Sequence, residues 1–327
     1  MLVKRFLGQI NCQNQLGEGV LWHPKEQALY WTDIPNKKLH ICRQLNAVGN
    51  SQATPKDLPF ETIDLPYRLG CFAFTDQDKV IVAGFDQGLA LFNIADGSVV
   101  WLAQPELKNK HTRFNDGRAD PKGRFWLGSM VENGEFKKLE VEQQGALYCV
   151  YFDQAVPKAS DAKLPSSASE KAYIEQVLSG LHISNGVCFN ADASLMYHSD
   201  SPSHKIYQYQ LDAAGQVIER SLFAKFEKTH FPDGAVVDNQ GNLWTALWGG
   251  ACIACLNANG EELFRYPMPM TQPSCVCIGG PDNNLLFVTS AQESLSASQL
   301  AKQPRAGNIL VYELVQPLGR SEPYITV

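Results

Sequence analysis

Polar, turn-forming stretches alternate with short β-rich runs along the whole chain, and one such unit recurs six times. The copies are HPKEQALYWTD from His23, TDQDKVIVAG from Thr75, DPKGRFWLGS from Asp120, NADASLMYHSD from Asn190, DNQGNLWTAL from Asp238 and PDNNLLFVTS from Pro281. Aligned, they place Tyr30, Ile81, Trp126, Tyr197, Trp244 and Phe287 at one equivalent position, 43 to 71 residues apart. A second series of strand-like runs follows the first at a similar distance: KKLHICR from Lys37, GLALFNI from Gly88, GALYCVY from Gly145, KIYQYQL from Lys205, GACIACL from Gly250 and GNILVYEL from Gly307. A third element precedes each copy and carries EGV at Glu18, LGC at Leu69, NDGR at Asn115, SNGV at Ser184, PDGA at Pro232 and PSCV at Pro273. Periods mostly in the forties, with several strands in each, point to propeller blades rather than helical solenoid repeats. The pattern predicts an all-β, six-bladed β-propeller, one domain over residues 1–327.

The apolar segment Leu2 to Ile10 is expected to add a strand to the last blade beside Ile309 to Leu314, closing the ring and removing an exposed edge. The longest interval contains FDQAVPKASDAKLPSSASEKAY from Phe152. Its Ala, Ser, Pro and Lys content reads as an inserted surface loop over about 152–173. A lesser insertion, NAVGNSQATPKDLPF from Asn46, is placed at the outer edge of the first blade. Helical periodicity is weak throughout; EKAYIEQVLSG from Glu170 is the best candidate and reads equally as an outer strand.

Repeats around an axis bring equivalent positions together. The polar residue lies 10 to 13 positions before the aligned one, so Glu18, Asn115 or Asp116, Asn185 and Asp233 are expected to converge. Glu18, Asn185 and Asp233 offer two carboxylates and one amide oxygen. Without a cation the carboxylates would repel and one would take up a proton, whereas a divalent ion satisfies both. A central site for one divalent metal follows. All-oxygen ligation favours Ca²⁺, Mg²⁺ or Mn²⁺, while Zn²⁺ and Fe²⁺ also accept carboxylates. Three protein ligands leave coordination positions for water or a substrate carbonyl. Arg113, Asn115 and Asp116 come from another blade and suit hydroxyl-bearing or carboxylate-bearing small molecules. His182 and His230 are candidate supporting groups, His198 is not read as a ligand, and Trp248 is a candidate wall of the channel mouth.

A net charge of −6, with 28 basic residues scattered singly, argues against nucleic acid or an anionic membrane as partner. The N-terminal residues show neither a secretory signal nor a membrane span, which makes a cytoplasmic setting the expectation. Nine cysteines form no framework spacing, and Cys252 and Cys255 fall on opposite faces of one strand. Oligomeric state is left open.

Taken together, LGEGVLWHPKEQALYWTDI from Leu16, RFNDGRADPKGRFWLGSM from Arg113, ISNGVCFNADASLMY from Ile183, FPDGAVVDNQGNLW from Phe231 and QPSCVCIGGPDNNLLFVTSA from Gln272 resemble the senescence-marker-protein, gluconolactonase and regucalcin family of six-bladed propellers. The resemblance runs almost end to end. It implies that Glu18, Asn185 and Asp233 are metal ligands and that Arg113 and Asn115 bind substrate. It further implies metal-dependent hydrolysis of a sugar (aldono) lactone to the aldonic acid, with Asp233 or Asp116 as general base. Some members carry paired carboxylates after the Met that matches Met130; here Glu132 is followed by Asn133, so contacts to distal sugar hydroxyls are expected to differ. Two other classes stay open: a non-catalytic calcium-binding protein of the same family, and a ligand-binding propeller of the YWTD type, whose emblem occurs once at Tyr30 to Asp33.

Overall fold

The computed structural model describes residues 2–45, 56–132, 144–152 and 172–327. Among these the strands form six sheets, five of four strands and one of five, and the chain is an all-β, six-bladed β-propeller. First strands are Gly17–His23, Leu69–Phe74, Thr112–Ala119, Ser184–Phe189, Phe231–Val237 and Pro273–Gly279, in blades 1 to 6 respectively. Second strands, Ala28–Asp33, Val80–Phe85, Phe125–Val131, Leu195–Asp200, Leu243–Trp248 and Leu285–Ser290, are the six aligned copies read in the sequence. The third strands, Lys38–Cys42, Gly88–Asn93, Gly145–Phe152, Lys205–Leu211, Cys252–Leu256 and Ile309–Leu314, are the second series.

Two compact units make up the chain. One comprises Met1–Leu65, Ser203–Lys205 and Phe223–Glu322 and holds blades 1, 5 and 6. The other comprises Pro66–Pro202, Ile206–Leu222 and Pro323–Val327 and holds blades 2 and 3 and most of blade 4. Apolar residues at alternate positions fill each unit between its sheets: Val20, Trp22, Trp31, Phe287 and Val311 in the first, Trp126, Leu147, Met196 and Tyr209 in the second. The aligned aromatics are pinned as well as buried. Asp238 accepts the backbone N–H groups of Gln240 and Asn242 and the Trp244 Nε1–H at 3.0 Å, so one carboxylate shapes the hairpin and fixes the indole it leads to. Asp120 does the same for Lys122, Arg124 and Trp126.

Val3–Ile10 pairs antiparallel with Ile309–Leu314, from Val3 opposite Leu314 to Ile10 opposite Ile309, closing blade 6 as the sequence predicts. Lys56–Asp57 then runs parallel to Gly8 and Gln9 as a fifth strand. The lesser insertion thus borders both blades: the Leu58 N–H donates to Gln9 O of blade 6 at 2.9 Å, while Phe60 at its end packs on Trp31 and His40 of blade 1; residues 46–55 lie outside the described residues. Residues 153–171 do too, and with them most of the longer insertion, whose ends at Phe152, Ala172 and Tyr173 are strand residues. Ala172–Leu181 is the fourth strand of blade 3, which resolves the helix-or-strand ambiguity: it pairs with Gly145–Phe152, and Tyr173 meets Tyr151. No helix among the described residues is long and apolar enough to cross a membrane. All nine cysteines are free.

The feature that shapes the site is a slip of one residue in the pairing of first and second strands in every blade. In blade 1, Gly19 and Val20 together oppose Trp31; in blade 4, Gly186 and Val187 oppose His198. In blade 3 the two residues are Asn115 and Asp116, and in blade 5 Asp233 and Gly234. Such bulges bend a strand and re-aim its side chains, and they concentrate beside functional sites. Gly19 and Gly186 have φ of 57° and 65°, a left-handed backbone that strains any residue with a Cβ. The register also refines the expected equivalence. Glu18 and Asn185 both precede the bulge, whereas Asn115 and Asp233 both open it, one position later.

Candidate functional site

In the second unit the first strands of blades 2, 3 and 4 lie side by side. A Cβ added at Gly70 would stand 2.6 Å from the carbonyl oxygens of Phe114 and Asn115, closer than side chains approach, so glycine is what lets blades 2 and 3 meet here. On the other flank, Asn115 Nδ2 donates to Asn185 Oδ1 at 2.7 Å and to Ser184 O at 3.1 Å. Arg113 Nη1 donates to Asn115 Oδ1 at 2.9 Å and to Phe114 O at 3.0 Å. Asn185 Nδ2 donates to Ser201 Oγ at 2.9 Å. Arg113, Asn115 and Asn185 are all buried. The structure therefore joins the expected substrate pair to one expected metal ligand through a continuous run of hydrogen bonds.

That run settles the Asn185 amide. Its nitrogen faces Ser201 and its oxygen faces Asn115, and a carbonyl oxygen with two lone pairs can accept Asn115 and still face a cation. Asp116 takes the Val187 N–H on Oδ2 at 3.0 Å. Burial pushes its carboxyl above the ordinary carboxylate value, against the opposing pull of the Val187 amide and Arg118. Beneath Asn115, Ser184 Oγ and His198 Nε2 are 2.9 Å apart, and burial lowers the His198 pKa to about 3. His198 is thus a neutral core imidazole facing Tyr209.

Glu132, just after the second strand of blade 3, is held by one guanidinium group and lies near a second. Arg68 holds it with Nη1 to Oε1 at 2.6 Å and Nη2 to Oε2 at 3.1 Å, and Arg113 Nε lies 3.6 Å from Oε1. Burial would raise the Glu132 pKa, but the hydrogen bonds and charge of Arg68, with the charge of Arg113, bring it below its ordinary value. Asn133 lies outside the described residues.

Glu18 and Asp233 belong to the first unit. Glu18 is half-buried and its Oε2 accepts the N–H of Gly19 at 3.3 Å; Asp233 is buried, with its backbone oxygen taking the Thr245 hydroxyl at 3.3 Å. Both stand on first strands that abut blade 6: a Cβ at Gly234 would meet Cys275 Sγ at 2.4 Å, and Ser274 Oγ donates to Gly17 O. The carboxylates of Glu18 and Asp233 and the amide oxygen of Asn185 are each donor types that suit a hard divalent cation. Among the described residues no group of three or more His, Cys, Asp or Glu is arranged to hold a metal.

The other candidates make the following contacts. Trp248 packs against Leu16, Ile34 and Ala291. His182 Nδ1 lies 3.4 Å from Asp200 Oδ2 at the end of the second strand of blade 4, and His230 Nδ1 lies 3.0 Å from Oγ1 of the adjacent Thr229. The YWTD residues serve the fold: Tyr30 donates to Glu26, Trp31 is buried, and Asp33 accepts the N–H groups of Gln15 and Leu16. Asp200 repeats the last arrangement with His182 and Ile183. The sequence reading missed Arg68, Asp86 and Ser201. A usable signal existed for Arg68, because LGC is the one first-strand motif whose glycine is flanked only by apolar residues and cysteine, and Arg68 immediately precedes it.

A family model described as SMP-30/gluconolactonase/LRE-like region matches residues 16–292. The chain is 32% identical to the 6-deoxy-6-sulfogluconolactonase of Pseudomonas putida, with 94% of each chain covered. It is 33% identical to the L-arabinolactonase of Azospirillum brasilense, with 91% of this chain and 88% of that one covered. Among solved structures, a calcium-binding protein, regucalcin, from Agrobacterium tumefaciens matches with a TM-score of 0.81 and 25% identity, covering 100% of both chains.

Proposed function

Since the chain belongs to the SMP-30/gluconolactonase family, we propose that it is a metal-dependent sugar lactonase that opens an aldonolactone to the aldonic acid. The observation that carries this reading is the hydrogen-bonded run from Arg113 through Asn115 to Asn185, which couples groups suited to a sugar's hydroxyls to an amide oxygen suited to a cation. The lactonase names of the two relatives support the substrate class.

In this proposal Glu18, Asn185 and Asp233 hold one divalent ion, among Ca²⁺, Mg²⁺, Mn²⁺, Zn²⁺ and Fe²⁺. When bound, such an ion supplies Lewis acidity toward the ester carbonyl. The chain's own groups do the rest. Arg113 and Asn115 orient the lactone through its oxygens, and Glu132 accepts from a distal hydroxyl. Water adds to the acyl carbon as the ring C–O bond breaks; a carboxylate takes the water's proton, and the ring oxygen gains one. Asp116 and Asp233 are the two candidates for that carboxylate. Asp116, whose pKa lies above the ordinary value, is the better matched to hold that proton, because a carboxylate committed to a cation is a weaker base. The proposal treats residues 1–327 as one working domain in the cytoplasm, a setting supported by nine free cysteines.

The test is a grid of aldonolactones derived from glucose, galactose, arabinose and xylose assayed against the five ions. Ion-dependent acid release from at least one lactone is expected. Tight calcium binding with no turnover of any lactone would instead favour the calcium-binding alternative.

A further inference from the structure

Blade 2 lacks a polar residue beside the glycine of its first strand, yet a guanidinium stands just before it. Arg68 forks onto both oxygens of Glu132, at 2.6 and 3.1 Å, while its Nε donates to Asp86 Oδ2 at 2.7 Å. The backbone ties the same corner, since the Asp86 N–H donates to Arg68 O at 2.8 Å. Asp86 follows the second strand of blade 2 and Glu132 the second strand of blade 3, so one side chain fastens two blades of the same unit. Arg113, which holds Asn115, also stands 3.6 Å from Oε1 of the same carboxylate.

The chemistry of this arrangement is specific. An ionised carboxylate offers about four lone-pair directions. Arg68 takes one direction on each Glu132 oxygen, and a carboxylate oxygen can accept a further donor beside it. The fork also fixes the plane of the carboxylate, which a lysine's single ammonium cannot do. Glu132 is thus an immobilised acceptor for hydroxyl donors.

We propose that Arg68 is a positioning residue that holds Glu132 in place to recognise hydroxyl groups remote from the reacting ester, and so selects polyhydroxylated lactones over plain ones. The inference rests on the lactonase reading. Arg68 acts through Glu132 and touches no reacting atom.

The experiment compares gluconolactone with δ-valerolactone, which has the same ring without hydroxyls, on the unmodified enzyme, Arg68→Met, Arg68→Lys, Glu132→Gln and the Arg68→Met/Glu132→Gln double variant. Turnover by the unmodified enzyme judges the lactonase reading; the ratios between variants judge Arg68. Arg68→Met is expected to lower the preference for gluconolactone, as a ratio of kcat/KM values, by about tenfold, mainly through KM, as fits loss of one charge-assisted contact. Arg68→Lys recovers part of the preference, and the double variant is no worse than Glu132→Gln. An unchanged preference, equal losses on both lactones, or additive losses in the double variant would each overturn the proposal.

Discussion

Asn115 Nδ2 donates to Asn185 Oδ1 across 2.7 Å, from the opening residue of the blade 3 bulge to the residue before the blade 4 bulge. With Ser201 on the amide nitrogen, this contact leaves Asn185 one orientation. The bulges are what make it possible: a regular strand would alternate faces without interruption, and Asn115 would not be turned toward its neighbour.

Replacing Asn115 by alanine is therefore expected to weaken divalent-ion binding by about tenfold or more, the usual effect of removing a group that orients a ligand. Titration calorimetry with Mn²⁺ on Asn115→Ala and Ser201→Ala checks this. Affinities equal to that of the unmodified protein would show that neither contact orients Asn185 toward an ion.

Glu106 gives stability a pH dependence of known sign. Ser129 Oγ donates to its Oε1 at 2.6 Å and Tyr148 OH at 3.0 Å, and burial nonetheless raises its pKa above the ordinary 4.5. The folded protein then holds the proton more tightly than the unfolded chain. The stabilisation is fully present below pH 4.5 and is lost as pH rises through the folded value, with a slope of at most about 1.4 kcal/mol per pH unit. Urea unfolding from pH 4 to 7 should show Glu106→Gln gaining stability relative to the unmodified protein as pH increases. A constant difference would contradict it.

Blade closure is testable by deletion. Removing residues 1–10 takes away buried Val3 and Ile10 and the tilted ring contact of Phe6 with Tyr312, and it exposes the edge of Ile309–Leu314. The expected loss is at least about 3 kcal/mol of stability, from the two aliphatic side chains alone. Concentration-dependent association, seen by light scattering, should accompany it. A monomeric truncated protein of unchanged Tm would mean that the N-terminal strand is dispensable.

These contacts also mark how far the sequence can be read. Strand identity was legible because turn chemistry and alternation are local: Asp120 and Asp238 announce their hairpins, and Trp126 and Trp244 follow at fixed distance. The first-strand location of Glu18, Asn185 and Asp233 was legible because each adjoins a glycine at a recurring offset. The one-residue shift between Asn185 and Asp233 was not, since a bulge is defined by the partner strand. Arg68 precedes a first-strand motif that stands out from the rest, but its partner is not legible: the grip on Glu132 spans 64 positions and joins two blades, so no local pattern encodes that contact. Lys56–Asp57 pairs with Gly8 and Gln9 through a fold-back that hydrophobic periodicity does not register.

Acid release from an aldonolactone by chelator-stripped protein, before and after re-addition of a divalent ion, tests the central claim most directly when run alongside Asp233→Ala. The account predicts that stripping abolishes turnover, that the ion restores it, and that Asp233→Ala stays inactive at ion concentrations that saturate the unmodified protein. Full activity in the stripped protein, or in Asp233→Ala, would contradict it.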